Sequence, residues 1–119
     1  MASVLVVDDV QFMRAKLKDM LVQGGHEVQC EAENGKEAVS IYKDCKPDLV
    51  IMDVTMPEMN GIEALREIKV FDPSALVIMC SAMGQEKLVM EAVEAGAKDF
   101  IIKPFEDSRV LDAINHMIR

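Results

Sequence analysis

The chain has 119 residues, with 13 basic against 21 acidic side chains and a net charge of −8. That length suits one domain over 1–119, and half of the residues are apolar, enough for a core without cross-links. The acidic balance disfavours nucleic-acid binding and docking on anionic membranes, and the longest uncharged stretch, Pro73–Gln85, is too short at 13 residues to span a bilayer.

A first apolar run, Val4–Val7, reads as a strand covered on both faces and stops at Asp8-Asp9, too soon for a signal peptide. Met13, Leu17, Met20 and Leu21 then share one helix face, and Gly24-Gly25 ends that helix. The second strand, Val28–Ala32, alternates apolar with polar residues and so belongs at a sheet edge. Asn34-Gly35 opens a second helix, with Ala38, Ile41, Tyr42 and Cys45 on its buried side. Leu49–Met52 is a third strand, followed by the stripe Ile62, Leu65 and Ile68. Leu76–Met79 is a fourth, followed by Val89, Ala92 and Val93 and closed by Ala95-Gly96. Phe100–Ile102 is the fifth, and Val110, Leu111, Ile114, Met117 and Ile118 mark the last helix.

Strict β–α alternation predicts an α/β three-layer sandwich with a parallel five-stranded sheet and right-handed crossovers. An edge position for the second strand favours the flavodoxin-like order 2-1-3-4-5. The cysteines Cys30, Cys45 and Cys80 match neither a CxxC nor a zinc pattern and read as reduced, mostly buried thiols of a cytoplasmic protein. His26 and His116 fall in separate elements, so no His/Cys metal set is present.

In an open parallel sheet, function collects outside the carboxyl ends of the strands at the switch point between strands 1 and 3. Strand 1 ends in Asp8-Asp9, strand 3 in Asp53, strand 4 in Ser81, and strand 5 in Lys103-Pro104. Two unit charges 4 Å apart interact by about 4 kcal/mol at an effective dielectric near 20, so converging carboxylates call for protons or a divalent cation. Oxygen ligands with open positions suit Mg²⁺. Asp53 would be a nucleophile forming an acyl phosphate, Lys103 would hold an anionic oxygen, and Ser81 would hydrogen-bond a phosphoryl oxygen. Each piece has a plain structural use as well: Asp8-Asp9 and Ser81 as helix caps, Asp53 as a loop residue, Lys103-Pro104 as a strand stop. All four on one rim in this order are improbable as coincidence.

At these residues the chain resembles the receiver family of two-component response regulators, from about Val4 to Met117. The motifs are Val7-Asp8-Asp9, Met52-Asp53 with Met56-Pro57 and Gly61, Ser81-Ala82, and Lys103-Pro104-Phe105. Phe12-Met13-Arg14, Asp53–Ile62, Met79–Gln85 and Ala95–Phe105 bring it nearest to the stand-alone chemotaxis members, which carry no output domain. The resemblance implies that Asp9 ligates Mg²⁺ directly, that Asp8 acts mainly through a metal-bound water, and that Thr55 gives its backbone carbonyl. Asp53 would be phosphoacceptor and metal ligand, Ser81 and Lys103 would bind the phosphoryl group, and Ser81 with Phe100 would form the switch. The Lys103–Pro104 bond would be cis. Ser81 stands where Thr is more frequent, and Phe100 where Tyr is often found, so burial of the ring would act by packing alone. Thr55 and Met83 would flank the path of the water that hydrolyses the acyl phosphate.

The implied function is a signalling switch, not a metabolic enzyme: Asp53 accepts a phosphoryl group from a chemotaxis sensor histidine kinase, and the protein then binds the flagellar motor switch. A monomer is expected, with a phosphatase as a further partner. The alternatives are a phosphorelay intermediate or a receiver of another two-component pathway. A haloacid-type phosphatase would want a second Asp where Thr55 stands, and an FMN-binding flavodoxin would want a Ser/Thr/Gly-rich loop in place of Asp8-Asp9-Val10. Phe12 and Met90 lie off the core stripes of their helices and are candidate docking anchors.

Overall fold

The computed structural model describes residues 2–82 and 86–118. Five strands, β1 (Ser3–Val7), β2 (Glu27–Ala32), β3 (Leu49–Asp53), β4 (Val77–Ala82) and β5 (Asp99–Lys103), alternate with five helices. These are α1 (Gln11–Gln23), α2 (Gly35–Cys45), α3 (Gly61–Phe71), α4 (Glu86–Glu94) and α5 (Asp107–Met117). All strand pairs are parallel, in the order β2-β1-β3-β4-β5, the flavodoxin-like arrangement that the alternation predicts.

Side chains alternate across a strand, so each central strand feeds two cores. Leu5, Val7, Val50, Met52, Val77 and Met79 pack with Ala38, Tyr42, Ile62, Leu65, Ile68 and Ala92 from α2, α3 and α4. Val4, Val6, Leu49, Ile51, Ile78 and Ile101 pack with Leu17, Met20, Leu21, Val110 and Ile114 from α1 and α5. Burial on both faces explains why β1, β3 and the start of β4 read as unbroken apolar runs. The edge strand β2 alternates in burial up to Ala32, as its sequence predicts.

Three details differ from the sequence reading. β4 begins at Val77 rather than Leu76 and continues through Ser81 to Ala82, because Ser81 and Ala82 pair with Ile102 and Lys103. β5 forms the second edge of the sheet, and Ile102 is exposed rather than covered. On α4, Leu88 and Ala92 face the core, followed by Ala95 just past the helix, one residue out of phase with the predicted stripe, and Val93 points to solvent. Of the thiols, Cys80 is buried, whereas Cys30 and Cys45 are half-buried. Among the described residues no helix is long and apolar enough to cross a membrane.

Helix boundaries have local causes. Asn34 caps α2 by accepting the Glu37 N–H at 2.8 Å. Asn60 caps α3 through a reciprocal box with Glu63. Gly25 takes a φ of 86° after α1, a conformation that glycine adopts without Cβ strain.

Candidate functional site

β1 and β3 lie side by side, with Val7 in register with Met52, so the residues that follow them emerge together at one rim. Carboxylate oxygens of Asp8, Asp9 and Asp53 lie within 4.8 Å of one another. At that separation each like-charge pair costs about 3.5 kcal/mol at an effective dielectric near 20. β4 and β5 complete the rim: Cys80 pairs with Asp53, placing Ser81 one residue further on, and Lys103 pairs with Ala82.

Asp8 is 1% exposed and held at every polar group. Its N–H donates to the Ala32 carbonyl at 3.1 Å, and its Oδ1 accepts the Val10 N–H at 2.9 Å. Its Oδ2 accepts Lys103 Nζ at 2.9 Å, and its carbonyl accepts Arg14 Nη1 at 2.6 Å. Asp9 is exposed, and Asp53 is half-buried. Helix-capping does not account for the acid pair, since α1 begins after Val10 and has no side-chain cap. Ser81 lies inside β4, five residues before α4 begins at Glu86.

Lys103 Nζ sits 2.9 Å from Asp8 and 3.5 Å from Asp53 Oδ2. Burial pulls the lysine pKa down, but the Asp8 hydrogen bond and the two carboxylate charges outweigh it, and the net direction is up. Burial pushes the Asp53 carboxyl above its usual range; Lys103 opposes that, and the Asp8 and Asp9 charges add to it. One ammonium thus balances one of three carboxylates. The remaining negative charge, the all-oxygen donor set and the exposed side at Asp9 fit a small hard cation such as Mg²⁺.

The loop after β3 is pinned from two sides. Val54 N–H donates to the Cys80 carbonyl at 2.9 Å, and the Val54 carbonyl accepts the Gly61 N–H at 2.7 Å. A Cβ at Gly61 would collide with the Asp53 carbonyl, so only glycine lets α3 start this close to Asp53. Thr55 follows in the same loop, exposed. Ser81 is buried, and Phe100 is half-buried against the core shared with α3 and α4. The Lys103–Pro104 peptide is cis. Met83 lies outside the described residues.

Arg14 is the site-related residue that motif reading left without a role. Periodicity cannot reveal it, because its contacts with Asp8 and Glu31 are tertiary.

A family model, described as the response regulator receiver domain, matches residues 4–115. The chain is 61% identical over 112 residues to the chemotaxis protein CheY of Thermotoga maritima, covering 94% of this chain and 93% of that one. It is 62% identical over 112 residues to CheY of Bacillus subtilis, with the same coverage. Its structure is similar to CheY in a CheX–CheY–BeF₃–Mg²⁺ complex from Borrelia burgdorferi, with a TM-score of 0.93, 39% identity, and 98% and 89% of the two chains covered.

Proposed function

The chain belongs to the response regulator receiver family, and from that premise we propose that it is a chemotaxis signalling switch phosphorylated on Asp53. The observation that carries this reading is the convergence of Asp8, Asp9 and Asp53 oxygens within 4.8 Å, with Lys103 Nζ reaching two of the three.

Asp53 Oδ attacks the phosphorus of a phosphohistidine on a sensor kinase; the P–N bond breaks and an acyl phosphate forms. Lys103 is already beside the nucleophile and turns to an oxygen of the transferred group. Ser81, one residue beyond the Asp53 partner Cys80, donates its hydroxyl to another. Asp8 and Asp9, with Asp53 and the Thr55 carbonyl, would hold Mg²⁺, which when bound neutralises charge on the transferring phosphoryl group.

Output follows from the same rim. Drawing Ser81 towards the phosphoryl group opens space into which the Phe100 ring packs. That alters the surface of α4, β5 and α5, where Met90, Val93 and Ile102 already expose apolar side chains. We assign this surface to a flagellar motor-switch partner, and a phosphatase is a second proposed partner; the CheX–CheY complex shows that a similar protein forms a complex with another protein. The protein would act as a single cytoplasmic receiver unit.

Incubation with acetyl phosphate and Mg²⁺ tests the reading. Wild type should label, and Asp53→Ala should not. Equal labelling of the two proteins would refute it.

A further inference from the structure

We infer that Arg14 is a positioning residue for the metal site: its guanidinium clamps the peptide that joins Asp8 to Asp9, and Glu31 anchors the guanidinium. The inference rests on the reading of Asp53 as a phosphoacceptor beside Mg²⁺.

Arg14 is the fourth residue of α1. A cation there faces the positive end of the helix dipole, so the position offers it no local reward. Unlike the exposed Lys16, Lys18 and Asp19 of the same helix, its side chain is only 14% exposed. It folds back over the loop that α1 follows. Nη1 donates to the Asp8 carbonyl at 2.6 Å, while Nε lies 3.3 Å from Glu31 Oε1 on β2. Lys18 approaches the other Glu31 oxygen at 3.8 Å.

The Asp8 carbonyl belongs to the same rigid planar unit as the Asp9 N–H. Fixing that carbonyl therefore fixes the rotation of the plane between the two acids. Asp8 has its own side-chain ties to Val10 and Lys103. Asp9 is exposed, so its direction is inherited from that plane. β2 consequently holds the acid pair twice, through Ala32 to the Asp8 N–H and through Glu31 and Arg14 to the Asp8 carbonyl.

Arg14→Met keeps most of the apolar stem and removes the fork. Groups that orient metal ligands typically contribute 10–100-fold to metal affinity. The expected result is a rise of about tenfold in both the calorimetric Mg²⁺ Kd without phosphodonor and the Mg²⁺ half-saturation of Asp53 labelling. The labelling rate at saturating Mg²⁺ should stay at the wild-type value. A merely structural role would lower the melting temperature in EDTA and leave the Kd of the folded protein unchanged; that result overturns the inference. Should Arg14→Met fail to fold, Glu31→Gln decides: a smaller rise in Kd supports the clamp, and a wild-type Kd overturns it. Failure of wild type itself to label on Asp53 would instead sink the parent reading, and this inference with it.

Discussion

Lys103→Met should tighten Mg²⁺ binding while slowing phosphorylation. The ammonium lies 2.9 Å from Asp8 Oδ2 and 3.5 Å from Asp53 Oδ2. At an effective dielectric near 20 those attractions are about 5.7 and 4.7 kcal/mol, falling to about 1.4 and 1.2 kcal/mol at the dielectric of water. The side chain is 23% exposed, so the operative values lie well below the upper pair. Removing the ammonium takes away the counter-charge that touches the Asp8 and Asp53 carboxylates, and with it a cationic competitor for an incoming ion. A gain of about 1.4 kcal/mol, the lower end of that range, is a tenfold tighter Mg²⁺ Kd. Calorimetric titration at fixed ionic strength reads the affinity, and acetyl phosphate labelling at saturating Mg²⁺ reads the rate. A Kd that is unchanged or weaker would refute the charge accounting of the rim. A wild-type rate would remove Lys103 from the transfer step.

Three further outcomes follow from local geometry. Gly61→Ala places a Cβ against the Asp53 carbonyl and 2.8 Å from Met79 Cε; it should cost about 1–3 kcal/mol by urea unfolding and depress labelling at saturating Mg²⁺. Asn60→Ala removes the side chain that accepts the Glu63 N–H at 2.9 Å; it should cost about 1 kcal/mol and leave labelling close to wild type. His26, 7% exposed, accepts the Ala2 N–H on Nδ1 at 3.1 Å, and burial holds its pKa below 6.5. The unfolded chain therefore binds the proton first: the contribution of this histidine is complete above pH 6.5 and is lost as pH falls towards the lower folded value. Unfolding free energies at pH 7.5 and 5.5 should differ more for wild type than for His26→Gln, and equal differences would exclude a role for the imidazole.

What the sequence reveals follows the physical signals it carries. Strands covered on both faces must be apolar throughout, so β1 and β3 are unmistakable, and an edge strand can alternate, which places β2. β5 misleads because three consecutive apolar residues mimic a central strand although Ile102 faces outward. On α4, Leu88-Val89 and Ala92-Val93 are adjacent pairs, so two stripes one residue apart fit the period equally, and only packing on the core selects Leu88 and Ala92. The rim acids are readable because strand ends in this topology must converge. The Arg14–Glu31 tie is not, because neither α1 nor β2 records its neighbour in its own periodicity.

On the reading of Asp53 as a phosphoacceptor, the placement of conflict in the molecule would let phosphorylation act as a signal. The sheet beneath the rim holds its charges in place: Asp8 is fixed through N–H, carbonyl and both carboxylate oxygens, and the loop after Asp53 is tied at both sides of Val54. Two of the three like charges, Asp8 and Asp53, are therefore kept close by a scaffold with little freedom to separate them. A phosphoryl group on Asp53 replaces one carboxylate charge with about two charges slightly further out. With Asp8 held, the groups left to respond on that reading are Lys103, with two carboxylates in reach, and the end of β4 at Ser81 and Ala82. Lys103 and Ala82 are partners in the β4–β5 register, so a pull on either reaches the strand that carries Phe100. Rigidity at β1 and β3 would thus direct the electrostatic change sideways, across the sheet to its β5 edge, rather than dissipating it at the site.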